Sequence, residues 1–296
     1  MTTINQRLSA LRKAMQMHHI DAYLITGGDP HQSEYVADHW KTREWISGFT
    51  GSAGKVIITQ HKAVLWTDSR YYLQAEIELK DTEFEMQPLF LNGKVHYTNW
   101  LLEQLPSEAI LGLDDYLWTS SQLQQLKQTL LPKGIELKTD IDLITDCWSN
   151  RPPLPEQTIF EHAEKYAGAS RRQKIQEIRH LLLSREADAY LLSTLDDIAW
   201  LLNLRGRDID FNPVFMAYLW LSTDNCILFI QPDKVPAPLK AQLAADNIDL
   251  LPYQDIERWL QQLPVDHPDI YVESTLNYAL RKRLNPERTQ AGPALV

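Results

Sequence analysis

The strongest candidate for chemistry is one arginine in the stretch WTDSRYYLQAE. Asp68 or Ser69 is a good N-cap residue, so the pattern predicts a helix from about Ser69 to Leu79 with Arg70 in its first turn, just beyond a strand. A cation there opposes the helix dipole at a cost of about 0.3–1 kcal/mol, and open α/β sheets bind ligands at strand ends. The forked donors of arginine suit a carboxylate or a peptide carbonyl. We therefore predict a binding role for Arg70; the alternative is a surface ion pair with Asp68 or Glu44.

The stretch PHQSEY contains a second candidate pair, His31 and Glu34. Their spacing would bring both side chains to one metal ion if the segment were helical. One such pair does not fill a coordination shell, and we find no second pair. The segment therefore favours a surface loop, with the alternative that it borders a ligand cleft.

The doubled acid Asp196–Asp197 in STLDDIAWLL favours a structural role. Thr194 and Asp197 precede an apolar run at the spacing of a capping box, which would satisfy free amide groups at the start of a helix. Aspartate near a helix N-terminus also suits the helix dipole. General acid or base chemistry is the less favoured interpretation of this pair.

The glycine-rich stretch GFTGSAG has glycines at positions 48, 51 and 54. A nucleotide-binding loop needs a different glycine spacing and a following helix, whereas a strand, KVIIT, follows here. We predict a tight turn that requires a positive φ angle.

Two charged stretches in the second half leave their role open. The stretch RGRDIDFNPVFMAY (Arg205–Tyr218) could be a solvated loop, or its charges could face a third domain or a partner. QPDKVPAP follows the second predicted hairpin and has no arginine at the place that Arg70 takes in the first half. Whatever Arg70 does, the second half does not repeat it.

Sequence motifs of self-sufficient catalytic sites are absent. The sequence contains no G-x-S-x-G, H-E-x-x-H, P-loop or C-x-x-C pattern. We predict no catalytic residue and no metal ligand in this chain. Cys147 and Cys226 are the only cysteines, and we expect two buried, reduced thiols and a cytoplasmic location.

An internal repeat indicates how these residues are positioned. DAYLIT at Asp21–Thr26 recurs as DAYLLS at Asp188–Ser193, an offset of 188 − 21 = 167 residues. Apolar residues at helical spacing precede both copies at the same offset. These are Leu8, Leu11 and Met15 in the first copy and Ile175, Ile178 and Leu182 in the second. We conclude that one folding unit, a helix leading into a buried strand, occurs twice.

Helices alternate with strands and tight hairpins in each half. This pattern predicts an α/β fold of two tandem duplicated domains, each a mixed β-sheet flanked by helices. The three prolines of SNRPPLPEQ mark the boundary, which gives a first domain at 1–150, a linker at 151–157 and a second domain at 158–296. The tail NPERTQAGPALV lacks a partner element and resembles the start of a further connection.

Charge and hydropathy exclude several classes of protein. The 296-residue chain carries a formal net charge of −10, which argues against nucleic acid and anionic membranes as partners. No window approaches the ~18 apolar residues of a membrane span.

Five motifs together, in order along nearly the whole chain, resemble the N-terminal half of cytosolic-type Xaa-Pro aminopeptidases. They are GGDPHQSEY, SGFTGSAG, WTDSRYYLQAE, LDDIAWLLNLRGRD and NPVFMAY. The resemblance implies two creatinase-type N-terminal domains. It also implies a C-terminal domain, absent from this sequence, that holds two divalent metals, usually manganese, and cleaves proline-containing peptides, so that this chain alone is inactive.

The resemblance further implies roles for residues and partners. The arginine of the TDSRY motif contacts bound peptide in the family, which transfers a substrate-binding role to Arg70, and His31 and Glu34 lie in a similarly marked motif. Members of the family are commonly homodimers through contacts that involve the absent domain. The alternative is a non-catalytic peptide- or protein-binding module, because creatinase-type domains also occur in such proteins.

Overall fold

The computed structural model describes residues 3–91, 94–266 and 268–296, and the side chains at 91–95 are outside that description. The chain divides into two compact units. The first contains residues 1–29 and 38–153, and the second contains Pro30–Ala37 together with Leu154–Val296.

The first unit is a six-stranded sheet flanked by helices. Its strands are β1 (Ala22–Thr26), β2 (Lys55–Thr59), β3 (Ala63–Thr67), β4 (Phe84–Pro88), β7 (Ile110–Gly112) and β8 (Glu136–Lys138), with a separate short pair β5 (Phe90–Leu91) and β6 (Lys94–Val95). Its helices are α1 (Ile4–Met17), α2 (Thr42–Ser47), α3 (Tyr72–Glu78), α4 (Tyr97–Gln104), α5 (Ser120–Leu130) and α6 (Leu143–Cys147). The strand order is β4-β3-β2-β1-β7-β8.

The second unit is built in the same way. Its main sheet contains β10 (Ala189–Leu192), β12 (Tyr218–Ser222), β13 (Cys226–Phe229), β14 (Asp249–Leu251), β15 (Ile270–Glu273) and β16 (Thr289–Gly292), and β9 (Phe160–Glu161) pairs with β11 (Leu204–Arg205). Its helices are α7 (Glu164–Ala167), α8 (Arg171–Ser184), α9 (Leu195–Leu201), α10 (Ala237–Ala245), α11 (Ile256–Gln261) and α12 (Tyr278–Arg281). The strand order is β14-β13-β12-β10-β15-β16.

The two sheets confirm the duplication and the predicted fold class. In each sheet, the strand of the repeated phrase has an antiparallel neighbour on one side, which is the first strand of a hairpin, and a parallel neighbour on the other. For β1 these neighbours are β2 and β7, and for β10 they are β12 and β15. The predicted apolar faces of α1 and α8 are buried. Thr3 and Ser170 cap these helices with their side chains, so the same local signal starts both copies.

The prediction that the tail lacks a partner element is wrong. β16 pairs in parallel with β15 and completes the second sheet, and Leu295 beyond it is buried. The sequence pattern does not mark this strand, because only Thr289 among its four residues is a good β-former. The sequence pattern also predicts a helix at Thr275–Leu284, but α12 is shorter and begins only after the capping residue Asn277.

Other differences are small. The sequence pattern predicts a strand at Val214–Leu221, whereas β12 begins only at Tyr218. Both cysteines are free, Cys226 buried and Cys147 partly so. Within the described ranges, no helix is long and apolar enough to cross a membrane.

Candidate functional site

Arg70 follows β3 at one edge of the first sheet. β1 and β3 are both antiparallel to β2, so their carboxyl ends meet at this edge. The GFTGSAG loop leads into β2 from the same edge, because β2 runs in the opposite direction. The sheet topology therefore gathers the ends of two strands and the glycine-rich loop beside Arg70.

The helix after β3 starts later than predicted. α3 begins at Tyr72, and Arg70 lies in the turn before it, where its backbone N–H donates to Asp68 Oδ1 over 3.0 Å. Arg70 is therefore not in the first helical turn, and the argument from the helix dipole does not apply to it. The Asp68 side chain thus closes a local turn by accepting from the backbone N–H of Arg70, and this turn takes the place of the first helical turn that was predicted.

The side chain of Arg70 is 67% exposed and forms an ion pair with Asp68, which is the alternative that the sequence left open. Hydrogen bonds from Arg70 keep the pKa of Asp68 below its usual value, although partial burial acts in the opposite direction. The guanidinium carbon also lies 5.2 Å from the ring centre of Tyr71, whose hydroxyl is 2.7 Å from Ser52 Oγ. Arg70 is thus oriented and reachable from solvent at the same time.

Arg43, on α2, is a residue that the sequence analysis missed. Its buried guanidinium donates to the carbonyl oxygens of Gly51, Ser52 and Gly54. Burial lowers the pKa of Arg43 to about 10. The signal in the sequence was an arginine beside Trp45 and Ile46 on a short apolar helix.

The glycines of the loop have two different roles. Gly48 ends α2 with a φ angle of 79°, as predicted for a tight turn. Gly54 is needed for space instead, because an added Cβ atom would lie 2.9 Å from the carbonyl oxygen of Trp66. The loop turns carbonyl groups toward Arg43, whereas a phosphate site needs N–H groups. The interpretation as a turn therefore agrees with the geometry.

His31 belongs to the second unit and is buried, so the surface-loop prediction is wrong for this side chain. Its Nδ1 atom lies 2.7 Å from the carbonyl oxygen of Ser193, and Nε2 lies 2.8 Å from the hydroxyl of Tyr253. The ring centre is 4.5 Å from that of Tyr218. Because both ring nitrogens have partners, the structure gives His31 an architectural position.

Glu34 is exposed and lies in an irregular segment. The segment is not helical, so the structure does not give His31 and Glu34 the helical arrangement that would direct both side chains to one metal ion. Within the described residues, no group of three or more His, Cys, Asp or Glu side chains is arranged to hold a metal. The described residues therefore do not fit the two-metal centre that the resemblance implies.

The two charged stretches of the second half meet in the core of the second unit. Asp208 of RGRDID and Lys234 of QPDKVPAP form an ion pair with side chains 0% and 1% exposed. The backbone N–H of Met216 donates to the same carboxylate oxygen over 2.6 Å. Asp208 is therefore not solvated loop surface, and Lys234 after β13 is buried.

Thr194 is the N-cap of α9 by position, but the predicted capping box is wrong. The side chain of Thr194 donates instead to Glu273 Oε2 over 2.6 Å. Glu273 is buried at the end of β15 and also accepts bonds from the hydroxyl groups of Tyr190 and Ser193. Burial, then Glu273 and Asp196, raise the pKa of Asp197 to about 7. An acid directly after the buried run IYV was the signal for Glu273.

Comparison with known families agrees with this duplicated architecture. Residues 7–144 match a model described as the creatinase/prolidase N-terminal domain, and residues 150–295 match a second model with the same description. The chain belongs to the family of creatinase/prolidase N-terminal domains and contains two of them in tandem.

Its relatives confirm the resemblance drawn from the five motifs. The chain is 35% identical over 286 residues to Xaa-Pro aminopeptidase 1 of Dictyostelium discoideum, covering 94% of this chain and 45% of that protein. It is 35% identical over 283 residues to aminopeptidase P2 of Arabidopsis thaliana, covering 94% and 40%.

A solved structure also matches. The X-prolyl aminopeptidase of Caenorhabditis elegans, described as a cytosolic enzyme with a di-nuclear active site, has a TM-score of 0.92 and 26% identity. The match covers 100% of this chain and 51% of that one. The chain thus spans about half the length of these proteins or less.

Proposed function

We propose that this chain is the substrate-flanking N-terminal half of a metallo-aminopeptidase that releases the first residue of Xaa-Pro peptides, and that it is inactive alone. The observation that carries the proposal is the alignment of 94% of the chain with less than half of two Xaa-Pro aminopeptidases. In this proposal the metal-binding catalytic domain, with two divalent ions such as manganese, lies in the remaining part. The parent protein would act in the cytoplasm as a homodimer.

Within this proposal Arg70 contacts the bound peptide. Its support is chemical: an exposed guanidinium, oriented by Asp68 at a strand-end edge, offers paired donors to a carboxylate or peptide carbonyl. His31 and Glu34 would serve less directly, His31 by shaping the segment on which the exposed Glu34 lies.

The test compares this chain with a longer version of its gene product that includes the downstream segment. Both are incubated with an Xaa-Pro-Pro tripeptide and Mn²⁺, and release of the first residue is measured. We expect release only from the longer protein, abolished by a chelator. Chelator-sensitive release by the 296-residue chain would overturn the inactivity proposal, and silence of both proteins would favour the non-catalytic binding module.

Arg70→Ala in the longer protein tests the residue assignment. We expect kcat/KM to fall about 100-fold, as for loss of a positioned charged contact. Arg258→Ala is a matched control, because Arg258 is 70% exposed and also forms an ion pair with an aspartate close in sequence, Asp255. Equal effects of the two substitutions would remove Arg70 from the site.

A further inference from the structure

Lys55 is an unusual cation in the first unit. It is the first residue of β2, and strand alternation puts its side chain on the same face as the fully buried Ile57. Val56 and Ile58 point to the other face and join the apolar core with α1. Lys55 therefore enters the second apolar layer of this unit and is partly buried there.

The ammonium group of Lys55 lies near two aromatic rings. Its Nζ atom lies 4.3 Å from the ring centre of Trp118 and 5.8 Å from that of Tyr97. Among the residues that the structure describes, no hydrogen bond or ion pair involves this atom. Burial, and then the charge of Arg43, lower the pKa of Lys55 to about 8. The amine is therefore still mostly charged at neutral pH but lacks a counter-ion, which is costly in such a place.

A cleft of about 140 Å³ opens over this group. Its other lining residues are Tyr97, Thr98, Trp118, Gln122, Gln125, Leu126 and Thr129. None of these lining residues is acidic. The cleft has room for about four to five water molecules, which matches a carboxylate with a short hydrocarbon part.

The polar groups of the cleft favour an anion. Gln122 accepts a bond from the backbone N–H of Thr119 through Oε1, so its NH₂ end is the donor that remains. Burial raises the pKa of Tyr97 to about 12, which keeps its phenol protonated and able to donate. One cation beside two aromatic rings, with mainly uncharged polar side chains in the rest of the lining, suits a singly charged carboxylate better than phosphate. Phosphate prefers several donors from arginine or backbone amides.

We propose that the cleft over Lys55 binds a small carboxylate, which acts as the counter-ion of the Lys55 ammonium group. The carboxylate belongs either to a free short-chain acid or to an acidic side chain of a peptide. Both sources present the same group to Lys55, and the experiment distinguishes them. Arg70 does not line this cleft, and the proposal does not rest on the proposed peptidase function.

The experiment is an NMR titration of the 296-residue chain labelled with ¹³C at the lysine ε-carbon. The Lys55 signal is identified as the one that is missing from the spectrum of Lys55→Met. If that variant does not fold, Lys55→Arg serves the same purpose, because arginine does not carry the label. Sodium propionate probes a free acid, and acetyl-Gly-Glu-Gly-amide probes a peptide side chain. Sodium chloride at equal ionic strength is the reference. We expect one carboxylate probe to raise the titration midpoint of Lys55 saturably by about one pH unit.

Lys62 is the internal control. Its Nζ atom also lies near an indole ring, 5.9 Å from that of Trp100, but the residue is exposed and bonded to Gln104. Its signal should not move. Gln125→Trp, a change at an exposed lining position, should weaken carboxylate binding about tenfold by filling the cleft. Equal shifts with chloride, equal shifts of Lys62, or a response to inorganic phosphate alone would overturn the proposal.

Discussion

Asp68 holds the guanidinium group of Arg70 by two parallel hydrogen bonds, from Nε to Oδ1 at 2.9 Å and from Nη2 to Oδ2 at 2.7 Å. This bidentate geometry fixes the plane of the guanidinium while its side chain stays largely exposed. A cation that is both reachable and oriented is the arrangement that recognition of a carbonyl or carboxylate requires.

Asp68→Asn should therefore reduce activity of the longer protein without removing the arginine. An amide cannot accept both bonds of the guanidinium, so we expect kcat/KM to fall about tenfold, less than for Arg70→Ala. The measurement is steady-state kinetics on an Xaa-Pro-Pro tripeptide. Asp255→Asn, which disturbs the matched pair with Arg258, should leave kcat/KM unchanged; a loss of similar size there would contradict the orienting role of Asp68.

Arg43→Met should destabilise the first unit by about 2–3 kcal/mol. The change leaves the carbonyl groups of Gly51, Ser52 and Gly54 without the donor that they share, and each unsatisfied buried group costs about 1–3 kcal/mol. The loss is limited because a desolvated charge is removed as well. Urea unfolding measures the change, and the exposed Arg258→Met should alter the free energy of unfolding by less than about 0.5 kcal/mol. Equal stabilities would show that the loop does not depend on Arg43.

Removing one partner of the Asp208–Lys234 pair should destabilise the second unit by about 3–5 kcal/mol, because the other charge stays buried. Asp208→Leu combined with Lys234→Met should cost much less than the sum of the two single changes. Urea unfolding of the single and double variants gives the coupling energy. Additive losses would mean that the two residues contribute independently.

The acid Asp197 should make the second unit less stable as the pH rises. Its folded pKa of about 7 exceeds the unfolded value, so the native state binds the proton more tightly. Stability from this group is complete at pH below about 4 and declines until pH 7. Asp197→Asn should reduce this decline by roughly 1 kcal/mol after allowance for solvent screening and the helix N-terminus. The decline is measured as the difference between the melting temperatures at pH 5 and pH 7.5. An equal difference in the unmodified protein and in Asp197→Asn would contradict the assignment of the pH dependence to Asp197.

The sequence predicted what depends on local periodicity. The apolar faces of α1 and α8 and the shared phrase that follows each were sufficient to reveal the duplication. Both phrases form buried strands, as predicted. A strand buried on both sides carries a strong local signal.

Three of the predictions that failed depend on tertiary partners. The Thr194 side chain bonds to Glu273, 79 residues later, and so does not cap its helix. His31 is buried and bonds to Tyr253, 222 residues later. β16 is a strand because β15 is available to pair with it. In each case the deciding contact is tertiary, and local periodicity does not identify the partner.

The second unit is discontinuous in the chain, since it includes Pro30–Ala37 as well as everything after Pro153. A protein cut at the proline-rich stretch would therefore yield a C-terminal piece that lacks His31 and its contacts with the Ser193 carbonyl oxygen and the Tyr253 hydroxyl. Such a piece should bind a synthetic decapeptide that contains Pro30–Ala37. Reconstitution from the two parts would make the folding of the second unit a titratable, bimolecular event.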